Sequence, residues 1–252
     1  MKKIFLSHAL VFILSLASAH ATLILSDNFN TSDAASNLNN DLGSRQSGTA
    51  ANQNWSEGGG GDSDILSERL WITYGGGSSD RNVWLDYDFA ADPNLLTGGQ
   101  FTIAFDMDAD PDYSGVFIGD GNLTGRPVVS GNDFLMIAKS SSSSSANGVS
   151  TASVGAGEKA WEFTVTTDDF DSGTGFTMDL TIDNVIYDLN GGLAGSTLSG
   201  TWDGGSQYIG FSARDPSTYI DNFAVYSVPE PSSLLLLLSA AGLFVLFKRK
   251  RA

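Results

Sequence analysis

Strict two-residue alternation, cut into short pieces by glycine, asparagine and aspartate, constrains this chain more than any other feature. In Val83-Trp84-Leu85-Asp86-Tyr87-Asp88-Phe89 the odd positions are apolar and two of the three even ones are aspartate. Phe101-Thr102-Ile103-Ala104-Phe105-Asp106-Met107-Asp108, Trp161-Glu162-Phe163-Thr164-Val165-Thr166 and Phe176-Thr177-Met178-Asp179-Leu180-Thr181-Ile182 repeat the pattern. A period of two with one apolar face is the mark of half-buried antiparallel strands. Further strands are expected at Leu23–Leu25, Leu70–Tyr74, Val116–Ile118, Phe134–Ala138, Val185–Leu189, Tyr208–Phe211 and Ile220–Tyr226. Asp183-Asn184 falls between two such runs and reads as a two-residue hairpin turn, because both residues tolerate positive φ. About eleven short strands without helical periodicity predict an all-β, two-sheet antiparallel sandwich, a jelly roll in particular. Three stretches read as long loops: Asn28 to Glu57, Lys139 to Gly157 with its serine tract Ser140–Ser145, and Leu193 to Gln207.

Charge divides the chain of 252 residues into three parts. Between Thr22 and Val228 there are 28 acidic and 7 basic residues, while Lys2, Lys3 and Lys248 to Arg251 lie at the ends. So acidic a middle argues against nucleic-acid binding, which needs basic patches. Residues 1–21 read as a secretory signal: Lys2 and Lys3, an apolar stretch from Ile4 to Leu16, then Ala19-His20-Ala21. Cleavage after Ala21 is expected, with Ala19 as the alternative. Residues 22–227 then form the sandwich and 228–252 a tail. In the tail a hydrophobic helix is expected over 232–247, ahead of Lys248-Arg249-Lys250-Arg251. Its apolar run from Leu234 to Phe247 spans only about 21 Å at ~1.5 Å per residue, short for a ~30 Å bilayer core. The basic end belongs on the cytoplasmic side, so the middle is expected outside, tethered to the inner membrane at least transiently.

Pro229-Glu230-Pro231, the leucine-rich segment and the terminal Lys248, Arg249, Lys250 and Arg251 resemble the PEP-CTERM sorting signal. The resemblance implies an exported protein of a Gram-negative, exopolysaccharide-making bacterium, processed by an exosortase. In the middle, Ser26-Asp27-Asn28-Phe29-Asn30, the hairpin Leu180 to Val185, and Tyr219-Ile220-Asp221-Asn222-Phe223-Ala224-Val225 resemble concanavalin A-like or laminin-G-like jelly rolls. That resemblance implies a glycan-binding tendency, and it implies a structural Ca²⁺ where first and last strands lie side by side, here Asp27 with Asp221.

Catalysis is narrowed by what the middle lacks. The chain has no cysteine, and its two histidines, His8 and His20, lie in the leader. Disulfides, thiolate sites, Ser-His-Asp triads and ordinary zinc sites are therefore excluded from the middle. The Glu-x-Asp-x-x-Glu pattern of laminarinase-type glycosidases is missing, since Glu57, Glu68, Glu158 and Glu162 are not spaced that way. Asp171-Ser172-Gly173 imitates an aspartic-protease loop but has no second copy, and reads as a hairpin loop. Asp106, Asp108, Asp110 and Asp112 alternate towards a strand end, where carboxylates and free carbonyls could hold Ca²⁺ or simply be solvated. Trp55, Tyr113 and Trp202 fall beside Gly, Asp and Asn and are candidates for stacking on sugar rings, or else caps of the sandwich edge. The expected function is a non-catalytic, glycan-associated or adhesive protein of the cell surface or extracellular matrix. The alternatives are a carboxylate-dependent polysaccharide hydrolase or lyase, and a purely structural matrix protein.

Overall fold

The computed structural model describes residues 21–31, 35–73, 80–96, 99–110, 112–120, 132–214 and 217–228. The expected signal and tail helices lie outside them, and among the described residues no helix is long and apolar enough to cross a membrane. The strands run β1 Thr22–Asp27, β2 Ala35–Ser36, β3 Gln46–Ser47, β4 Trp55–Gly59, β5 Asp62–Leu66 and β6 Arg69–Thr73. Next come β7 Arg81–Leu85, β8 Gln100–Asp108, β9 Ser114–Gly119, β10 Asn132–Ala138, β11 Ser144–Ala146 and β12 Val149–Thr151. The last are β13 Glu158–Thr167, β14 Gly175–Ile182, β15 Val185–Tyr187, β16 Leu198–Thr201, β17 Tyr208–Ala213 and β18 Ser217–Val228. A helical turn, α1 Leu42–Arg45, and a 3-10 turn, Phe89–Ala91, sit among them.

All pairing is antiparallel, and it makes two sheets. The larger follows β15-β14-β13-β8-β18-β6-β5-β2, with β1 joining β18 and β3, and β16 extending the open side of β14. The smaller follows β12-β11-β10-β9-β17-β7-β4. Alternation dictates what lies between them. Phe101, Ile103, Phe105 and Met107 of β8, Trp161, Phe163 and Val165 of β13, and Phe176, Met178 and Leu180 of β14 are buried on the inner face. Val83, Leu85, Val116, Ile118, Phe134, Met136, Ile209 and Phe211 meet them from the smaller sheet. Phe105 stacks on Trp161 at 6.0 Å and meets Phe211 edge-on at 5.0 Å, so the two sheets interlock through aromatic contacts.

The smaller sheet carries a second apolar cluster on its outer face. Trp84, Gly210, Phe117 and Leu135 align across β7, β17, β9 and β10. Gly210 makes this row possible: a Cβ there would stand 2.3 Å from Phe117 Cζ and 2.6 Å from the Val83 carbonyl. Trp84, Phe117 and Leu135 are buried, with Ile137 and Tyr208 packed beside them.

Each of the eleven expected strands has a counterpart, but β7 stops at Leu85, ahead of a 3-10 turn over Phe89–Ala91 capped by the Asp88 side chain, and β15 stops at Tyr187; Tyr74 lies outside the described residues. Asp183-Asn184 is the expected turn, with φ of 52° and 62°. The three expected long loops are corrected. Residues 28–57 contain α1, β2, β3 and the start of β4. The serine tract ends in β11, which pairs with β10 and, through the turn at Asn147-Gly148, with β12. β16 lies within 193–207.

Candidate functional site

The first expected metal pair is divided by the sheet itself. β1 and β18 do lie side by side, with Asp27 opposite Phe223. That register turns Asp27 inward with Phe223, whereas Asp221 shares the outer face with Asp106, its partner across β8. Asp27 is fully buried and its oxygens are occupied. Oδ1 accepts from the Phe29 N–H at 2.9 Å and lies 3.3 Å from Arg45 Nε. Oδ2 accepts from Gln46 Nε2 at 2.9 Å and Trp55 Nε1 at 2.8 Å. The expectation that Asp27 and Asp221 share a cation is therefore corrected: Asp27 instead neutralises a buried guanidinium and orders the segment between β1 and β4.

The aspartate series beyond β8 also separates. Asp106 and Asp108 stay on the outer face, Asp110 is buried, and Asp112 is exposed. Asp110 holds the β8–β9 connection, accepting from the Asp112 N–H at 2.6 Å and the Ser217 N–H at 3.1 Å. Burial pushes its carboxyl above the ordinary value, against those hydrogen bonds. No group of three or more acidic or histidine side chains that could hold a metal exists among the described residues.

The expected sugar-stacking rings are interior. Trp55 and Trp202 are 2% and 1% exposed and Tyr113 is fully buried, so none can lie under a sugar. Trp202 donates from Nε1 to Thr167 Oγ1 at 2.8 Å and packs between Phe170 and Phe176. Neighbouring Asn, Asp and Gly suggest loops for both tryptophans, yet Trp55 opens β4 and Trp202 follows β16 directly.

A different surface gathers what a polyhydroxylated ligand needs. Leu70 and Ile72 point inward on β6, so Trp71 between them points out and is half-buried. Ile220 likewise leaves Tyr219 and Asp221 outside on β18. Register then lines up Asp64, Trp71, Tyr219, Asp108 and Glu158 across five strands. Arg69 lies on the Tyr219 ring, 4.5 Å from its centroid, and its Nη1 donates to Glu158 Oε2 at 2.9 Å. Beside this row is a depression of about 150 Å³, floored by Ala104 and Ala160. Asp106, Glu162, Thr181, Asn184 and Asn222 form its walls, and Asn222 Nδ2 donates to Asp106 Oδ2 at 2.7 Å. Like carboxylates face one another here, with Asp221 opposite Asp106 and Asp108 opposite Glu158. Burial, then the nearby Asp106 and Glu158, raise the Asp221 carboxyl above its ordinary value. The depression is below the ~300 Å³ of enclosed ligand pockets, so the face suits shallow contact. Trp71 lies within the expected strand Leu70–Tyr74, and the inward phase of Leu70 and Ile72 shows that it faces outward.

Several solved structures are similar to this chain at low sequence identity. A protein of unknown function with a galectin-like fold from Bacillus subtilis is 11% identical, with a TM-score of 0.48, over 83% of this chain and 97% of that one. Lectin I-B4 from Griffonia simplicifolia, in metal-free form, is 12% identical with a TM-score of 0.40, over 68% and 92%. The carbohydrate-binding module CBM66 from Bacillus subtilis is 11% identical with a TM-score of 0.40, over 68% and 94%. No curated protein matches the sequence. The segment with a recognised family model is the last: residues 227–251, which include Pro229-Glu230-Pro231 and the basic end, carry the PEP-CTERM protein-sorting motif.

Proposed function

We propose that this is an exported, non-catalytic glycan-associating domain, sorted through its PEP-CTERM segment and processed by an exosortase of a Gram-negative bacterium. Its place of work is the cell surface or the extracellular matrix, reached after transient tethering at the inner membrane. The observation that carries the glycan reading is the outer row Asp64-Trp71-Tyr219-Asp108-Glu158 beside the depression at Ala104 and Ala160. A half-exposed indole flanked by hydrogen-bonding groups suits a sugar ring, whose faces are apolar and whose edges are polar. With 28 acidic residues against 7 basic between Thr22 and Val228, the domain repels anionic chains. Neutral glycan is therefore the preferred class, and acidic glycan binds only through bridging Ca²⁺.

Retention on immobilised neutral and acidic polysaccharides, with Ca²⁺ and with EDTA, tests this. Neutral glycan should retain the protein in either buffer, and Trp71→Ala should weaken binding roughly tenfold, the loss of one ring's stacking and burial. Acidic glycan should retain it only with Ca²⁺. No retention on any glycan overturns the reading and leaves a purely structural matrix protein. Turnover of a polysaccharide that is lost on Asp106→Asn assigns the face to a hydrolase or lyase instead.

A further inference from the structure

We propose that the lateral edge where both sheets end is a self-association surface, on which a second copy of this chain docks by pairing β15 with β15. The larger sheet ends at β15 and the smaller at β12, each three residues long. The two ends adjoin: Thr151 Oγ1 and Tyr187 Oη are hydrogen-bonded at 3.0 Å, and Tyr187 Oη also donates to the Ala152 carbonyl. The loop leaving β15 lies against β12 closely enough that a Cβ at Gly191 would stand 2.5 Å from the Ser150 carbonyl.

All the exposed large hydrophobic residues among the described ones gather here. Val149 of β12 is 37% exposed, Val185 and Ile186 of β15 are 68% and 70%, and Leu193 of the adjoining loop is 72%. Proteins usually blunt an open edge with lysine, proline or a bulge, and β15 carries none of these. Its backbone is also presented for pairing. The turn at Asp183-Asn184 makes Ile182 and Val185 the closing hydrogen-bonded pair, so the N–H and C=O of Ile186 point away from β14.

Charge selects the occupant. The other 27 acidic residues between Thr22 and Val228, against 7 basic ones, lie elsewhere in the domain, and that excess repels another copy. Residues 140–157 contain no charged side chain, and 184–202 contain only Asp188. Asp188 is already engaged, accepting from the N–H groups of Asn190 at 2.9 Å and Gly192 at 2.8 Å. Two copies can meet at this edge without opposing their charges. A two-fold axis through Ile186 pairs that residue with itself and makes a reciprocal pair of backbone hydrogen bonds, requiring no other chain.

The full chain in mild detergent, sedimented over a range of protein and salt concentrations, tests the proposal. A reversible dimer is expected, strengthened by salt because screening removes the remaining repulsion. Ile186→Glu should weaken it at least tenfold with an unchanged melting temperature, and Ile186→Lys should do the same. Because the chain lacks cysteine, Ile186→Cys should oxidise to a covalent dimer, whereas Thr164→Cys, on the outer face of β13, should not. A monomer at every concentration overturns the proposal, as does association that Ile186→Glu and Ile186→Lys leave intact, which places it on the tail or another face. A persistent monomer whose glycan retention falls in Ile186→Glu overturns it too, by giving the edge to polysaccharide.

Discussion

Asp27 and Arg45 illustrate how a charge inside a sandwich is made tolerable. Both side chains are fully buried, and Arg45 also donates from Nη2 to the Leu38 carbonyl. Replacing such a pair with apolar groups can be neutral, but removing one partner strands the other in low dielectric. Arg45→Ala should therefore destabilise the fold by about 3–5 kcal/mol. Trp55→Phe, which removes one donor from Asp27 Oδ2, should cost about 1–3 kcal/mol. Urea titration of both variants checks the order, and equal effects would show that the ion pair contributes nothing beyond packing. Gly210 makes a steric point at the same scale. Gly210→Ala drives a methyl into Phe117 and the Val83 carbonyl, and overpacking of this kind should cost about 1–3 kcal/mol on the same measurement.

Element by element, β18 shows why some of the fold could be read and some could not. Inward positions are even through Thr218 and Ile220, then odd at Phe223, Val225 and Ser227. One extra residue between Asp221 and Ala224 changes the phase, and Asn222 takes up the bulge at φ 50°. Bulges bend a strand and exchange its faces, so strict alternation misreads any strand that contains one. The long strands β8, β13 and β14 have no such break within their pairing, and β8 and β14 were legible almost end to end, whereas β13 was legible only from Trp161, past its opening Glu158-Lys159-Ala160. The missed strands are short or rich in serine and glycine, for example β4 and β11, and they are fixed by neighbours rather than by their own pattern. The candidate site followed the same rule. Composition around Trp55 and Trp202 suggested loops, while packing against Phe29, Phe170 and Phe176 decided their burial. Asn222→Gly keeps positive φ available and should fold with a small loss, from the hydrogen bond to Asp106. Asn222→Val puts a β-branched residue in that region and should cost about 1–3 kcal/mol. Equal melting temperatures for the two would show that the bulge is not conformationally demanding.

At the scale of the whole molecule the governing quantity is negative charge held close together. Asp64, Asp110, Asp133 and Asp221 all titrate above the ordinary 3.8, in each case first because burial disfavours the charged form. For Asp64, the neighbouring Asp62 and Glu57 add to that rise. Asp169 moves the other way, chiefly through a side-chain hydrogen bond from Thr174, but it is exposed and alone in that direction. A carboxyl raised in the fold still holds its proton where the unfolded chain has released it, so its contribution is fully present below 3.8 and is lost as pH rises through the folded value. Self-repulsion among 28 acidic residues acts with the same sign. The melting temperature should therefore climb as pH falls from neutral into the interval just above 3.8, and added NaCl should raise it at pH 7 more than at the lower pH. Asp64→Asn, which removes a carboxylate repelled by Asp62 and Glu57, should raise the melting temperature at pH 7 and narrow its difference from the acidic value. Differential scanning calorimetry across that interval decides the matter, because a melting temperature that falls steadily on acidification would mean that crowded carboxylates do not control the stability of the domain.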